Sequence, residues 1–547
     1  MIYFSTLFIS LFVTISLIPL FREAAVRYGF MDMPNERKVH RVPIPKIGGM
    51  AMALGSLIPV LLWSVHDRLT ISLLLGSTII VLEGFLDDIH EFGYRLKFSA
   101  QLISAFIAIF LGGIKLSMLG VLIPWIPILP DIVAVPLTVL VIVGVTNAIN
   151  LSDGLDGLAG GITLLSFLCI GYLAYQTGQS EIIVFAVAVS GSIFGFLAFN
   201  THPASVFMGD AGSQLLGYLA ITLSIALTQG SQPLSPIMFL ILLGFPILDT
   251  LTVMCERVAR GVSPFKADKN HFHHKLMKIG FKQKEAVLCI YLIQSLLVVC
   301  AIRYRYNSEW FFIIIYSLFA GTVISGFHIA GRTGWKIARI DPLDKFVSAM
   351  FSVLKKNNAI IKVSFRVIEL GLPALLIFTT CMASEIPFYL RLLSIISIFI
   401  ICLTWLFRKD QLSRVLRLCL YLIIPFLTYL SQNSTLTWMN EPVKNIYSIS
   451  FLVVFFFIIL TVRYTRRQKG FKTTPMDFLI LFVALILPSI SGGLAFTHQI
   501  GLLTVKILIF FFGFEILIGE LRDDMTALGI STLLSMLIIT VNGFSSL

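Results

Sequence analysis

Carboxylates and amides are concentrated in one short stretch, Thr146 to Gly161, which reads TNAINLSDGLDGLAGG. Asn147 and Asn150 are followed by Asp153 and Asp156, and a glycine comes directly after each aspartate. Carboxylate oxygens are ligands that Mg²⁺ prefers, and glycine lets the backbone turn and approach a ligand closely. A capped helix end with a polar turn is the simpler alternative. Because so many polar groups follow one apolar run, we favour a binding site.

Acidic residues recur in two more motifs. Asp87 and Asp88 lie in LDDIHE, and Asp210 lies between glycines in FMGDAGS. Adjacent carboxylates can divide labour beside a metal, one acting on the metal and the other accepting a proton or orienting a nucleophile. The alternative for this pair is two solvated acids at a helix end. The glycine-rich motif predicts a helix N-terminus, which favours phosphate, and Asp210 could tie a metal to that phosphate.

Histidines and lysines are dense in ADKNHFHHKL, which contains His271, His273 and His274. A zinc site is not favoured, since no cysteine is near and structural zinc sites use thiolate and imidazole ligands at fixed spacing. Binding of an anionic diphosphate fits better, with Lys266, Lys269 and Lys275 adding positive charge. An ordinary basic cytoplasmic loop would explain the lysines but not the three histidines.

Two nearby residues receive no binding role from the sequence alone. His202 is interpreted as a loop histidine without a partner. Lys97, which begins an apolar run with Gln101 one helical turn later, is interpreted as an interfacial lysine that snorkels unless phosphate is nearby.

The elements that must position these residues are membrane helices. The 547 residues are 57% hydrophobic and only 13% charged, and apolar stretches of about 18–20 residues recur throughout. Continuous apolar runs favour helices over barrel strands, so the predicted class is an all-α polytopic membrane protein. The first run is expected to be retained rather than cleaved as a signal peptide. About eighteen spans are predicted: 2–20, 47–64, 68–86, 98–115, 132–149, 157–175, 181–199, 213–229, 235–254, 285–302, 310–327, 367–385, 388–407, 415–432, 447–463, 477–495, 501–520 and 526–544.

The predicted spans divide into a core of about eleven helices and an extension of about seven. We predict a membrane domain over 1–330, a basic cytoplasmic linker over 331–366 and a second membrane module over 367–547. No comparable cluster of acids, amides or histidines is evident in the second module. Its role does not follow from the sequence.

Charge distribution predicts the orientation. The net charge is +12, but the basic residues fall mainly in every second loop, which indicates membrane orientation rather than nucleic-acid binding. The loop after the first span is basic and therefore cytoplasmic. Counting spans from there places all four polar motifs on the cytoplasmic face, where we expect one shared site.

The motifs also carry a resemblance. HRVPIPKIGG (40–49), LDDIHE, NAINLSDGLDGLAGG, VFMGDAGS and DKNHFHH resemble those of the polyprenyl-phosphate N-acetylhexosamine-1-phosphate transferase family, in order, over about residues 30–330. Members transfer a sugar 1-phosphate from a UDP-sugar to undecaprenyl phosphate and release UMP. The HxHH form is similar to the branch that uses a UDP-N-acetylhexosamine to initiate a cell-envelope polysaccharide. GlcNAc is the sugar that this resemblance favours.

The resemblance implies roles, a cofactor and a location. It implies Mg²⁺, with Mn²⁺ as an alternative, in a bacterial inner membrane with the active site facing the cytoplasm; a homodimer is left open. Asp87 would prepare or deprotonate the lipid phosphate, and Asp88 would assist. Asp210, with Asp153, would hold the metal. The implied substrate-binding residues are His40, Lys46, Asn147, Asn150, Asp156, His271, His273 and His274.

Departures from the family pattern affect the choice of sugar. Glu91 stands where Asp is common, and Lys269 and Asn270 stand where Arg and Asp are usual. A transferase like phospho-MurNAc-pentapeptide translocase is therefore one alternative, and a lipid or solute transporter is another. Transporters place polar groups near the bilayer midplane, whereas these motifs lie at one face. A prenyltransferase would need two similar facing acidic motifs, and DGLDG is a poor copy of DDIHE.

Overall fold

The structure is a computed structural model that describes residues 2–33, 42–65, 67–90, 93–229, 234–263, 270–337, 358–383, 386–432, 441–464, 495–521 and 525–544. His40, Glu91, Lys266 and Lys269 lie outside these residues, as do most of the predicted linker and nearly all of the span predicted over 477–495.

The all-α prediction is confirmed, since helices make up nearly all of the regular structure in the described residues. One short antiparallel pair, β1 (Met31–Asp32) with β2 (Ile44–Pro45), lies between the first two helices. The helices of the N-terminal part are α1 (Ile2–Tyr28), α2 (Gly48–Trp63), α3 (Arg68–His90), α4 (Tyr94–Phe110), α5 (Asp131–Leu151), α6 (Leu158–Thr177), α7 (Ser180–Asn200), α8 (Gly209–Thr228), α9 (Phe239–Leu242), α10 (Gly244–Ala259), α11 (Phe272–Ile279), α12 (Gln283–Arg303) and α13 (Glu309–Thr333).

Length and composition identify the membrane spans among these helices. Among the described residues of the whole chain, 11 helices are long and apolar enough to cross a membrane, eight of them in this N-terminal part, and shorter apolar helices such as α2 accompany them. Each span predicted before residue 330 has a helix at its place, so the polytopic architecture is confirmed.

The span predicted over 235–254 is wrong as one continuous helix. The structure breaks it at Leu243, between α9 and α10. Gln294 of α12 bonds the backbone on both sides of the break. Its side-chain amide donates to the Leu242 carbonyl at 2.7 Å and accepts from the Phe245 amide at 3.4 Å. Backbone groups freed inside a membrane protein need such partners. The break starts α10, the helix that carries Asp249.

Helix α8 is the element on which the acidic motifs converge, and 94% of its most apolar 18-residue window is buried inside the protein. Small residues let neighbouring backbones approach closely. A Cβ on Gly217 would lie 2.7 Å from Cα of Thr146 in α5, and one on Gly84 of α3 would lie 2.6 Å from Cα of Ala211. Substitution at either glycine would therefore push α8 away from the helix beside it.

Backbone contacts divide the chain into two compact units, one formed by Met1–Ala338 with Thr474–Leu479 and the other by Arg339–Thr473 with Ile480–Leu547. Each span predicted after residue 366 has a helix at its place, apart from the one over 477–495, which falls outside the described residues. The helices of the second unit are α14 (Asn358–Met382), α15 (Phe388–Phe407), α16 (Leu412–Gln432), α17 (Glu441–Tyr464), α18 (Ala495–Leu521) and α19 (Thr526–Phe544).

The second unit is less uniform inside than its sequence indicates. Lys506 of α18 is only 4% exposed, and its ammonium lies 4.3 Å from the centre of the Tyr447 ring. Further along α18, Glu515 Oε1 lies 2.9 Å from Arg417 Nε. Sequence analysis does not identify single charged residues of this kind, because their contacts are with distant helices and produce no local spacing pattern.

Candidate active site

The end of α3 meets the start of α8 at Asp88. The amide of Ala211 donates a hydrogen bond of 3.3 Å to Asp88 Oδ2. Gly209 has a φ of +69°, and a Cβ at that position would overlap the Asp88 carboxylate. Both requirements favour glycine. The helix N-terminus that the sequence predicts to bind phosphate therefore lies against the acidic pair Asp87 and Asp88 of α3.

Lys97 lies at the centre of the site, so its interpretation as a snorkelling lysine is wrong. Its ammonium donates to Asp210 Oδ2 at 2.6 Å and to Asn150 Oδ1 at 3.0 Å. The amide of Asn150 donates in turn to Asp210 Oδ1 at 2.9 Å and to Ser213 Oγ at 2.7 Å. Helices α4, α5 and α8 are therefore joined by one polar cluster at the end of their spans.

The DGLDG turn is fixed by its second aspartate. Asp156 Oδ2 lies 2.6 Å from His202 Nδ1 and accepts the Ala204 amide at 3.1 Å. His202 therefore has a partner, and the sequence interpretation of it was wrong, because the pair joins loops 46 positions apart. Asn200 completes the tie, since its side chain accepts from the Gly157 amide at 2.8 Å and donates to the Val206 carbonyl at 2.9 Å.

Lys46 comes to the same end of α8 through backbone pairing. The Gly48 and Gly49 amides donate to the Phe207 and Met208 carbonyls at 2.9 and 2.8 Å. Lys46 Nζ lies 3.1 Å from Asp32 Oδ1. Burial lowers the pKa of Lys46, but the negative charge of Asp32, followed by more distant acids of the site, outweighs burial and raises it. Lys46 is therefore a firmly charged cation beside the cluster.

The histidine segment approaches the DGLDG turn from α11. His271 Nδ1 lies 3.0 Å from Asp249 Oδ2, and Asp249 Oδ1 accepts the Phe272 amide at 2.7 Å. His273 is buried, with its ring against Gly154 so closely that a Cβ there would lie 2.5 Å from His273 Nε2. The centres of the His273 and His274 rings are 4.2 Å apart.

The surroundings of His273 determine its charge. Burial first, and then the neighbouring His274 and His271, lower its pKa to about 3. The imidazole is therefore neutral at physiological pH, and it can hydrogen-bond a ligand without contributing charge.

The segment that forms this site is similar in sequence to known proteins. The sequence profile of glycosyl transferase family 4 matches residues 70–228, the part that carries most of these contacts. A Bacillus subtilis (strain 168) protein named probable undecaprenyl-phosphate N-acetylglucosaminyl 1-phosphate transferase is 35% identical over 360 residues, which is 64% of this chain and 96% of that protein. The chain belongs to glycosyl transferase family 4.

Other relatives of this family-4 chain have matching names. An undecaprenyl-phosphate alpha-N-acetylglucosaminyl 1-phosphate transferase of Yersinia pestis is 31% identical over 330 residues, covering 58% of this chain and 88% of its own length. The protein of that name in Escherichia coli (strain K12) is 30% identical over 368 residues, 65% of this chain and 96% of its own length. The relatives are matched nearly whole, while a large part of this chain lies outside each match.

The predicted site residues of this family-4 chain form two groups in the structure. Asp210 and Asn150 contact Lys97 directly, and Asp88 contacts the start of the same helix α8. In the second group, His273 lies against the DGLDG turn, which Asp156 ties to His202. Asn147 lies one turn deeper and bonds to Gln101. The individual roles of all these residues stay predictions. Sequence reasoning missed Lys97, His202 and Asp249. An acid inside an apolar span is the signal that could have identified Asp249.

The donor set of the family-4 site suits Mg²⁺ through substrate phosphates. The side chains of Asp87 and Asp210 are neighbours. Burial first, and then the charges of Asp210, Asp88 and Asp156, raise the pKa of Asp153 to about 7. Crowded carboxyls of this kind favour a cation. Among the described residues no three His, Cys, Asp or Glu side chains could hold a metal unaided, but Mg²⁺ commonly takes one or two carboxylates with phosphates and water.

Proposed function

We propose that this protein transfers a sugar 1-phosphate from a UDP-sugar to undecaprenyl phosphate, releases UMP and so initiates a cell-envelope polysaccharide. The observation that carries this proposal is the meeting of Asp88, Asp210 and Lys97 at the N-terminus of α8. Carboxylates and a lysine at a helix N-terminus suit phosphoryl transfer, in which catalysis is mainly positioning and charge stabilisation. The names of the relatives support the same reaction.

The proposed reaction is one displacement at the β-phosphorus of the UDP-sugar. An oxygen of the lipid phosphate forms a new bond to this phosphorus, and the bond from the phosphorus to the bridging oxygen breaks, so UMP leaves. The product is a lipid-linked diphosphate sugar. Asp87 would take or hold the proton of the lipid phosphate, with Asp88 assisting from its place against the Ala211 amide.

The groups around the acids would hold the substrates. Lys97 and Lys46 would balance phosphate charge, and His273 would donate or accept a hydrogen bond in its neutral form. Asp210 with Asp153 would hold Mg²⁺, or Mn²⁺ in its place. The metal, when bound, supplies further neutralisation of the diphosphate charge. We place the reaction at the cytoplasmic side of a bacterial inner membrane, as the alternation of basic loops suggests.

GlcNAc is the proposed sugar, since the relatives' names contain it. A panel of UDP-sugars tests this with purified full-length protein, undecaprenyl phosphate and Mg²⁺, and UMP is the measured product. We expect release with UDP-GlcNAc and little with UDP-MurNAc-pentapeptide or UDP-glucose. No UMP with any sugar would overturn the proposal, and release only with UDP-MurNAc-pentapeptide would favour the alternative branch.

A further inference from the structure

A second polar layer lies inside the membrane beneath the charged cluster. Three of its four members are almost fully buried, with 6% exposure for the acid and 1% and 0% for the glutamines, while the asparagine is half-buried. We call this set the deep tier, and its members are Glu83, Gln101, Asn147 and Gln214.

The deep tier is one continuous hydrogen-bonded chain. Asn147 Nδ2 donates to Gln101 Oε1 at 2.7 Å, and Gln101 Nε2 donates to Gln214 Oε1 at 2.7 Å. Gln214 Nε2 then donates to Glu83 Oε2 at 3.2 Å. Gln101 Nε2 also donates a longer bond of 3.4 Å back to Asn147 Oδ1, so the three shorter bonds run in the direction of Glu83. Glu83 Oε1 has no hydrogen-bond partner within the described residues, so Gln214 is the contact that holds this carboxyl.

One backbone atom sets the direction of the chain. Asn147 Nδ2 also donates to the Val143 carbonyl at 2.9 Å, and a carbonyl oxygen can only accept. The amide group of Asn147 must therefore face that way, which orients Gln101 and Gln214 in turn. The end of such a chain needs an acceptor, and Glu83 supplies it.

Each member of the deep tier has a partner on the same helix in the charged cluster. Residues three or four positions apart share a helix face, and here every deep residue lies one turn, about 5 Å, further into its span. We call the outer set the surface tier. The pairs are Glu83 with Asp87 on α3, Gln101 with Lys97 on α4, Asn147 with Asn150 on α5 and Gln214 with Asp210 on α8.

Polar side chains at this depth are costly, and apolar residues would pack there at lower cost. Hydrogen bonds between them fix the rotation of each helix about its axis, because a turned helix would leave a buried amide without a partner. The same rotation decides where the partner one turn away is directed. The deep tier is thus placed to control the convergence of the surface tier.

We propose that the deep tier is a positioning layer for the phosphoryl-transfer site, with Glu83 as its terminal acceptor. The proposal rests on the proposed function, since its readout is that reaction. It assigns Glu83, Gln101 and Gln214 no contact with substrate. They act through Asp87, Lys97 and Asp210.

The test compares variants of the full-length enzyme in UMP release with UDP-GlcNAc and undecaprenyl phosphate. Glu83→Leu removes the terminal acceptor and leaves Gln214 Nε2 unpaired. We expect kcat to fall about 10- to 100-fold, the cost of misplacing reacting groups, with both KM values near those of the wild type. Glu83→Gln keeps an acceptor for Gln214 and should restore kcat to near the wild-type value.

A glutamine directly after α8 provides a matched control for Gln214. Gln214→Leu breaks the chain and should reproduce the loss in kcat. Gln229, at the opposite end of α8, accepts the Ser117 and Met118 amides, each at 3.0 Å. Gln229→Leu should lower the melting temperature but leave the kcat of the folded fraction unchanged. A layer that served stability alone would make the two variants behave alike.

The possible results distinguish a failure of the proposed function from a failure of the positioning layer. If the wild type releases no UMP, the proposed function fails. If the wild type is active and folded Glu83→Leu matches its kcat, the positioning layer is refuted. It is also refuted if Glu83→Gln has a kcat as low as that of Glu83→Leu, because the hydrogen-bonded chain of the deep tier would then be intact and kcat would still be low. Should Glu83→Leu not fold, Glu83→Asp withdraws the carboxyl from Gln214 and must lower kcat in the same way.

Discussion

The ammonium of Lys97 lies 2.6 Å from Oδ2 of Asp210, so helices that begin more than 110 positions apart meet in one ion pair. The other oxygen of Asp210 accepts a hydrogen bond from Asn150 at 2.9 Å. Both side chains of the ion pair are partly shielded, with 19% and 29% exposed. A pair in such surroundings is screened less than one on the surface, and it holds the acid at the start of α8 in a defined place.

Lys97→Met should therefore disable the enzyme while the protein stays folded. The substitution removes the cation beside Asp210 and the donor to Asn150 Oδ1. We expect kcat to fall about 10²–10³-fold, the usual cost of removing one group that stabilises developing charge. Lys115→Met is the matched control, since Lys115 pairs with the exposed Asp131 at 2.5 Å outside the site. Near-normal kcat for Lys97→Met would show that the ion pair has no part in the reaction.

Asp210→Asn should abolish turnover and weaken the dependence on Mg²⁺. The amide keeps the size of the side chain but removes the charge that would hold a cation. UMP release is measured across a range of Mg²⁺ concentrations, with membrane expression confirmed beforehand. Asp131→Asn makes the same change at an exposed residue and should behave as wild type. Normal turnover by Asp210→Asn would remove this residue from the site.

The stability of the metal-free protein should fall as pH rises from about 4 to about 7. Asp153 has a pKa raised to about 7 by burial and by its acidic neighbours, whereas the ordinary value is near 4. Its stabilising, protonated form is complete below the ordinary value and is lost as pH passes the raised one. Melting temperatures in EDTA at several pH values measure this. Asp153→Asn should have a flatter profile, and an unchanged slope in that variant would exclude Asp153 as the cause.

The sequence predicted the helices well because apolar length alone identifies a span. It also identified the acids of LDDIHE and GDAGS, whose local spacing is distinctive. The sequence did not predict the contacts between distant segments. Lys97 resembles any interfacial lysine until α8 is placed beside α4, and His202 resembles any loop histidine until Asp156 is brought to it. Asp249 lies inside an apolar run whose break at Leu243 gave no clear signal.

The first unit should retain the chemistry without the second. All the contacts described for the candidate site lie between Asp32 and His274, and the main part of the first unit ends at Ala338. A chain that stops at Lys356 should release UMP, with lower stability. The full-length protein is the reference, and circular dichroism establishes that the shortened chain is folded. Folded but inactive 1–356 would show that the second unit contributes to catalysis.

The central claim is that the β-phosphate travels with the sugar, and the most direct measurement follows that phosphate. UDP-GlcNAc labelled with ³²P at the β-position is incubated with undecaprenyl phosphate and the purified full-length protein, and the lipid and aqueous products are separated. The account predicts one label in the lipid for each UMP formed, and Asp210→Asn should transfer none. Label that leaves in UDP while unlabelled sugar enters the lipid would contradict it.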